Sequence, residues 1–393
     1  MSREIATGID VGTSYIKTVI AEKTANEASP RILGCGISAS EGLRKGFVVN
    51  PHEVAIAIKN SVQKAQDASG ISVKQALISA DGSGLSGKRS KGSIIVSRAD
   101  REITRNDMDR ALEQSKIQLN QSSSSYFLNK DILHNFPVSY RIDNEIVIGE
   151  PLGAKGEKLE VETLFITSPT QYLNNLVKSI ELAGITVEDI VAAPWAMSHA
   201  LLNQKEKEVG CLLVNIGGDT SSVIVFEDGS PASLESFPFG SNHITYDIAK
   251  GLQVLLEEAE QLKISYGSDA SLKRKLGTIV ESRLNDIFEL ADGHLRQIKS
   301  GGILPAGVIL TGGGANLINI EDIARKALAL PSQLGQIKIA ENNNEDNSNP
   351  VWSVAYGLCC ARLDGESGAN SVSKKLLPSV KGALSKAVRI FLP

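Results

Sequence analysis

The stretch Ile5-Ala6-Thr7-Gly8-Ile9-Asp10-Val11-Gly12-Thr13-Ser14-Tyr15-Ile16-Lys17-Thr18-Val19-Ile20-Ala21 decides the fold. Two apolar runs flank a short polar turn, the pattern of a β-hairpin. The design returns at Cys211-Leu212-Leu213-Val214-Asn215-Ile216, followed by Gly217-Gly218-Asp219-Thr220 and then Ser221-Ser222-Val223-Ile224-Val225-Phe226. A repeat about 205 residues apart implies two similar lobes facing one another across a cleft.

Outward from each hairpin the chain alternates strands with helices. Val54, Ile58, Val62 and Ala65 give one helical face, and Leu173, Leu176, Val177 and Ile180 give another. The expected fold is therefore α/β. Between residues 84 and 160 the pattern changes to a turn-rich start, a polar helix near Asn106 to Gln118 and the serine run Ser122 to Ser125, which reads as an inserted subdomain. Glu341 to Asn349 reads as a solvated loop and Asp364 to Ser373 as a polar linker.

Glycines and small hydroxyl residues in a strand-connecting turn leave backbone N–H groups bare, so a phosphate chain can approach them closely. Gly12, Thr13 and Ser14 form one such turn, with Tyr15 beside it at the start of the next strand; Asn215, Gly217, Gly218, Asp219 and Thr220 form the other. Together they suit a grip on one phosphate chain from both lobes. Asp10, at the end of the first strand, suits holding Mg²⁺ through water. Lys17 either reaches a phosphate oxygen or faces solvent. A third element, Val308-Ile309-Leu310-Thr311-Gly312-Gly313-Gly314-Ala315-Asn316-Leu317, lets a flat ring lie directly on the backbone before a helix near Ile320.

At 393 residues the chain suits at least two domains. Its 42% hydrophobic and 22% charged residues are those of a folded globular protein. The 41 basic and 45 acidic side chains argue against a nucleic-acid-coating protein. Cys35, Cys211, Cys359 and Cys360 show neither zinc spacing nor a disulfide framework, which fits a reducing cytoplasm. No run reaches the roughly 18 apolar residues of a spanning helix, so membrane contact is expected to be peripheral.

Two phosphate turns and a late triple-glycine turn resemble the superfamily of actin, sugar kinases and heat-shock chaperone ATPases. This resemblance implies a two-lobed fold of duplicated ribonuclease H-like units that binds ATP and Mg²⁺. Glu260-Gln261-Leu262-Lys263 is similar to the superfamily's element beside adenine and ribose; an exposed ion pair is the alternative. Within the superfamily, Gly8 to Lys17, Gly42-Leu43-Arg44-Lys45-Gly46 and Ser241 to Ala249 resemble the FtsA family of bacterial division proteins. The implied organisation is 1–83 and 161–200 for the first lobe, 84–160 for the insertion, and 201–363 for the second lobe with a partner-binding subdomain at about 253–305. A flexible linker, 364–377, and an amphipathic membrane-targeting helix, 378–393, follow.

The family resemblance implies filaments on the cytoplasmic face of the cell membrane at the division site. It also implies binding of the C-terminal peptide of the tubulin-like protein FtsZ, and contacts of the insertion with neighbouring subunits and later division proteins. Arg283, in Glu281-Ser282-Arg283-Leu284-Asn285-Asp286-Ile287-Phe288, is similar to the family's peptide-contacting arginine, with Arg274 and Lys275 nearby; an ion pair with Glu281 or Asp286 is the alternative. The second turn departs from the family by Asn215 for Asp and by Asp219 among the glycines. Asn is neutral and cannot serve as a carboxylate base, so weak or absent hydrolysis is expected.

After Glu366 the chain carries only basic charges. Val380, Leu384, Ala387, Val388 and Phe391 share one helical stripe, with Lys386 and Arg389 away from it, which suits an anionic lipid surface. Two other readings share the fold: an actin-like scaffold of type IV pilus assembly, which docks a membrane partner's peptide, and a small-molecule kinase.

Overall fold

The computed structural model describes residues 3–24, 27, 29–122, 126–267, 270–298, 304–337 and 349–365. The first lobe is built on a five-stranded sheet ordered Thr186–Ala192, Gln75–Ala80, Glu4–Val11, Tyr15–Lys23 and Arg31–Ala39. The first three strands are parallel, and the last three run antiparallel as a meander. Glu4–Val11 is central and buried from Ala6 onward, as expected of a strand covered on both faces.

The helix Pro51–Ser69 packs on this sheet through Val54, Ile58, Val62 and Ala65, the face read from the sequence. Its ends are explicit in the sequence. The Asn50 side chain accepts from the His52 amide, Pro51 opens the first turn, and Gly70 closes the helix in the left-handed conformation at φ 69°. Thr170–Leu182 packs beside it, and Ser353–Leu363 returns from the far end of the chain to cover the first two strands.

The second lobe's sheet runs Ser332–Leu334, Val308–Thr311, Cys211–Ile216, Ser221–Glu227 and Ser230–Phe237. It continues, through the pairing of Glu235 with Ser86, into the sheet of the insertion: Ser86–Ile95, Lys158–Pro169, Lys130–Ile142 and Glu145–Val147. The insertion has its own small core of Ile94, Val96, Ile103, Met108, Ala111, Tyr140, Leu159 and Val161, roofed by the helix Arg105–Ser122. Its entry and exit strands are antiparallel neighbours from Ser86–Thr167 to Ile95–Lys158. Residue 160 therefore falls inside a continuous strand that runs to Pro169, because hydrogen bonding to the entry strand carries the exit strand past that point. Leu276, Val280, Leu284, Ile287 and Phe288 of the long helix Ala270–Gln297 join the second lobe's core.

The two hairpins share one register. Val11 pairs with Ile16, and Ile216 pairs with Ser221, so both members are displaced by the same 205 residues. No helix among the described residues is long and apolar enough to cross a membrane.

Candidate functional site

Both hairpin turns open into one cavity of about 1020 Å³, at the upper end of the range for small-molecule sites. In the first hairpin, antiparallel pairing sets Asp10 opposite Lys17. The buried Asp10 carboxylate accepts from Lys17 Nζ at 3.0 Å through Oδ2 and from Ser79 Oγ at 3.0 Å through Oδ1. Ser79 Oγ in turn accepts from the Val11 amide at 3.1 Å, so the neighbouring parallel strand fixes the carboxylate. Lys17 is thus turned to Asp10 in the cavity wall.

A Cβ on Gly12 would lie 2.8 Å from the Tyr15 carbonyl oxygen, and a Cβ on Gly217 would lie 2.8 Å from that of Thr220. Only glycine leaves these turns undistorted and their backbone bare. Asn215, opposite Ser222, is the second-hairpin counterpart of Asp10. Its Nδ2 lies 3.5 Å from both Ser222 Oγ and Asp81 Oδ2, the long limit of a hydrogen bond.

The triple glycine divides its labour. Gly312 has φ 88°, and a Cβ there would lie 2.3 Å from Asn215 Oδ1, while one on Gly314 would lie 2.4 Å from Ile216 Cγ2. Both pack on the second hairpin. A Cβ on Gly313 meets nothing within 4 Å, so this residue leaves bare backbone in the cavity wall.

Glu260 and Lys263 lie on the helix Leu256–Ile264. Lys263 is buried, with Nζ 2.7 Å from Glu260 Oε2, 3.0 Å from Thr245 Oγ1 and 3.4 Å from the Ser241 carbonyl. Thr245 Oγ1 donates to Glu260 Oε2 at 2.6 Å. The pair is a wall element locked onto the helix Ser241–Leu252, unlike an exposed surface pair.

Every residue expected at the nucleotide lines this cavity except Asp219. Its carboxylate accepts from the Lys45 amide at 3.0 Å and from Asn242 Nδ2 at 2.8 Å. Sequence reasoning misses Asp81, Asn242, Thr245 and Ser353, which also line the cavity. Asp81 follows the strand Gln75–Ala80 as an Asp-Gly turn, a signal the sequence does carry. Burial, reinforced by the neighbouring Asp10 carboxylate, raises the Asp81 carboxyl to about 6.

Arg283 lies away from the cavity, and its guanidinium is engaged within the molecule. It forks onto Asp247 at 2.8 and 3.2 Å and reaches Asp286 at 3.0 Å. The Asp286 pair is one of the alternatives that the sequence leaves open; Asp247 is 36 residues away and becomes a partner only through the fold. Arg274 and Lys275 are exposed on the same helix. The tail residues Val380, Leu384, Lys386, Val388, Arg389 and Phe391 lie outside the described residues.

A two-lobed α/β body whose duplicated hairpins face one cleft defines the actin-like class. Among solved structures, the PilM-PilN type IV pilus biogenesis complex superimposes with a TM-score of 0.67 at 16% identity, covering 92% of this chain and 99% of that one. MreB 5 of Spiroplasma citri bound to AMPPNP gives 0.51 at 12%, covering 92% and 97%. At such identities the likeness is one of fold. Residues 212–357 match the family model of cell division protein FtsA, and residues 82–167 match the SHS2 domain inserted in FtsA. Cell division protein FtsA of Borreliella burgdorferi is 30% identical over 381 residues, 91% of each chain, and that of Pseudomonas aeruginosa is 28% identical over 95% of this chain and 92% of its own. The chain belongs to the FtsA family of cell division proteins, and its role is in cell division.

Proposed function

We propose that this chain binds ATP with Mg²⁺ between its lobes and assembles into actin-like filaments on the cytoplasmic face of the membrane. There it tethers FtsZ filaments, helps assemble the Z-ring and recruits later division proteins. The observation that carries the nucleotide reading is the convergence of two bare-backbone turns and the open face of Gly313 on one cavity. The fold neighbour bound to AMPPNP supports it. Phosphates suit the turns, and a flat base suits Gly313, with Lys263 and Glu260 in the adjoining wall.

Oxygen donors at Asp10 and Asp81 fit a hard cation such as Mg²⁺, which keeps several waters and takes one or two carboxylates. Asp10 would hold it through water. Bound there, the ion would neutralise phosphate charge. Asn215 supplies no carboxylate from the second lobe, which supports binding with weak turnover and a filament that needs occupancy more than hydrolysis.

For the partners, Arg274 and Lys275 offer exposed cations to the FtsZ C-terminal peptide. A peptide carboxylate reaching Arg283 would compete with Asp247. The insertion ends in the short strand Glu145–Val147 at the sheet's edge, with Ile146 and Ile148 exposed, a surface suited to a neighbouring subunit or a later division protein. The tail's apolar stripe and cations suit anionic lipid. A single short helix binds marginally, and a filament multiplies it through avidity.

Co-sedimentation of the whole chain, and of a chain lacking residues 374–393, with anionic liposomes and Mg-ATP tests the tether. Pelleting that needs the tail and carries added FtsZ along is expected. Equal pelleting of both chains, or FtsZ left in the supernatant, overturns it.

A further inference from the structure

Asp219 has a bonding pattern unlike that of its neighbours in the turn. Counted along the shared register it is the counterpart of Ser14, and the two turns meet head to head. The Asp219 amide donates to Thr13 Oγ1 at 3.2 Å, and a Cβ on Gly218 would lie 2.2 Å from Ser14 Oγ. The carboxylate is shared between two donors: Asn242 Nδ2 at 2.8 Å on Oδ1, and the Lys45 amide at 3.0 Å on Oδ2.

These donors come from different parts of the molecule. Lys45 and Gly46 form the tip of a first-lobe hairpin in which Leu43 pairs with Val48 and Arg44 with Phe47; both tip residues have positive φ, 50° and 80°, as a tight two-residue turn demands. Asn242 opens the second-lobe helix Ser241–Leu252, whose first two amides donate to the Gly217 and Gly218 carbonyls at 2.8 Å each. One carboxylate therefore ties the first-lobe tip, the second turn and the helix start together. Each oxygen accepts one hydrogen bond, and the residue is not among those that line the cavity.

We infer that Asp219 is a positioning residue that clasps the lobes across the second turn, fixes the separation of the two phosphate-facing turns, and so sets how fast a bound nucleotide leaves. This rests on the nucleotide reading above. A carboxylate accepting two hydrogen bonds holds more strongly than a neutral acceptor, and it acts on the closed arrangement more than on first encounter.

The test is stopped-flow release of a fluorescent ATP analogue from the full chain with Mg²⁺, chased with unlabelled ATP. Asp219→Ala is expected to speed release about tenfold while changing association less than about twofold. Asp219→Asn, which keeps one carbonyl acceptor, is expected to release about two- to threefold faster than the unsubstituted chain and well short of the alanine variant. Unchanged release from Asp219→Ala overturns the inference, as does equally fast release from both variants. Should the alanine variant fail to fold by circular dichroism, the asparagine variant decides: release about two- to threefold faster supports the clasp, and unchanged release overturns it. No analogue binding by the unsubstituted chain overturns the nucleotide reading itself, an outcome distinct from any effect of the substitutions.

Discussion

In the first hairpin Asp10 stands opposite Lys17, and the two charges meet at 3.0 Å; in the second, the same register positions carry Asn215 and Ser222, 3.5 Å apart and neutral. The backbones are alike even in the glycine at the start of each turn, whose absent Cβ would approach a carbonyl oxygen to 2.8 Å in both. The geometry that lets a phosphate approach bare amides is thus present twice. Of the two hairpins, the first alone carries a carboxylate at this register position, and Asp81 of the same lobe lines the cavity beside it. The second lobe contributes shape: its turn, the Gly312 to Gly314 element packed on Asn215 and Ile216, and the clasp at Asp219.

The largest expected effect comes from filling the surface that the second lobe leaves open. Gly313→Arg places a long side chain in the cavity and is expected to weaken ATP binding at least about a hundredfold, about 2.7 kcal/mol, by isothermal titration. Retained micromolar affinity would remove the base from that surface. The next effect probes the likeness of the turns. Gly12→Leu and Gly217→Leu each force a carbonyl of their own turn to move, that of Tyr15 or that of Thr220, and are expected to lower stability by about 1–3 kcal/mol in urea unfolding. A difference between the two above about 1 kcal/mol would break the equivalence of the turns.

Much of this comparison is legible in the amino-acid sequence. Apolar strands on either side of a glycine turn mark each hairpin, and their spacing marks the duplication, because strand pattern and turn chemistry are local properties. Asp81 escapes notice because one Asp-Gly pair after a strand looks like any turn; only the parallel pairing of its strand beside Asp10 brings it to the cavity. In sequence, Asp219 stands among the glycines of the second turn with nothing local to say where its carboxylate goes, and the backbone amide that claims it belongs to Lys45, 174 residues away. Arg283 reads toward a partner, and its bidentate carboxylate is Asp247, on another helix. In each case the missing information is a long-range contact.

A smaller effect sharpens the asymmetry of charge. The Asp81 carboxyl is raised from 3.8 to about 6, so the folded chain keeps this proton where the unfolded chain has lost it. Stability from this group therefore falls as pH rises from about 4 to about 6 and is level above. Asp81→Asn removes that loss. In magnesium-free buffer the variant is expected to gain about 1–2 kcal/mol over the unsubstituted chain across this interval, allowing for solvent screening of a partly exposed group. Parallel stability curves from pH 4 to pH 7 would contradict the burial of this carboxyl.

Whether one nucleotide sits between the hairpins with its cation on the first lobe is decided by calorimetric titration of ATP with and without Mg²⁺, using the unsubstituted chain, Asp10→Asn and Asn215→Ala. One nucleotide per chain is expected, with a gain in affinity from Mg²⁺ that Asp10→Asn abolishes and Asn215→Ala preserves. No saturable binding, or a magnesium gain that survives Asp10→Asn, would contradict it.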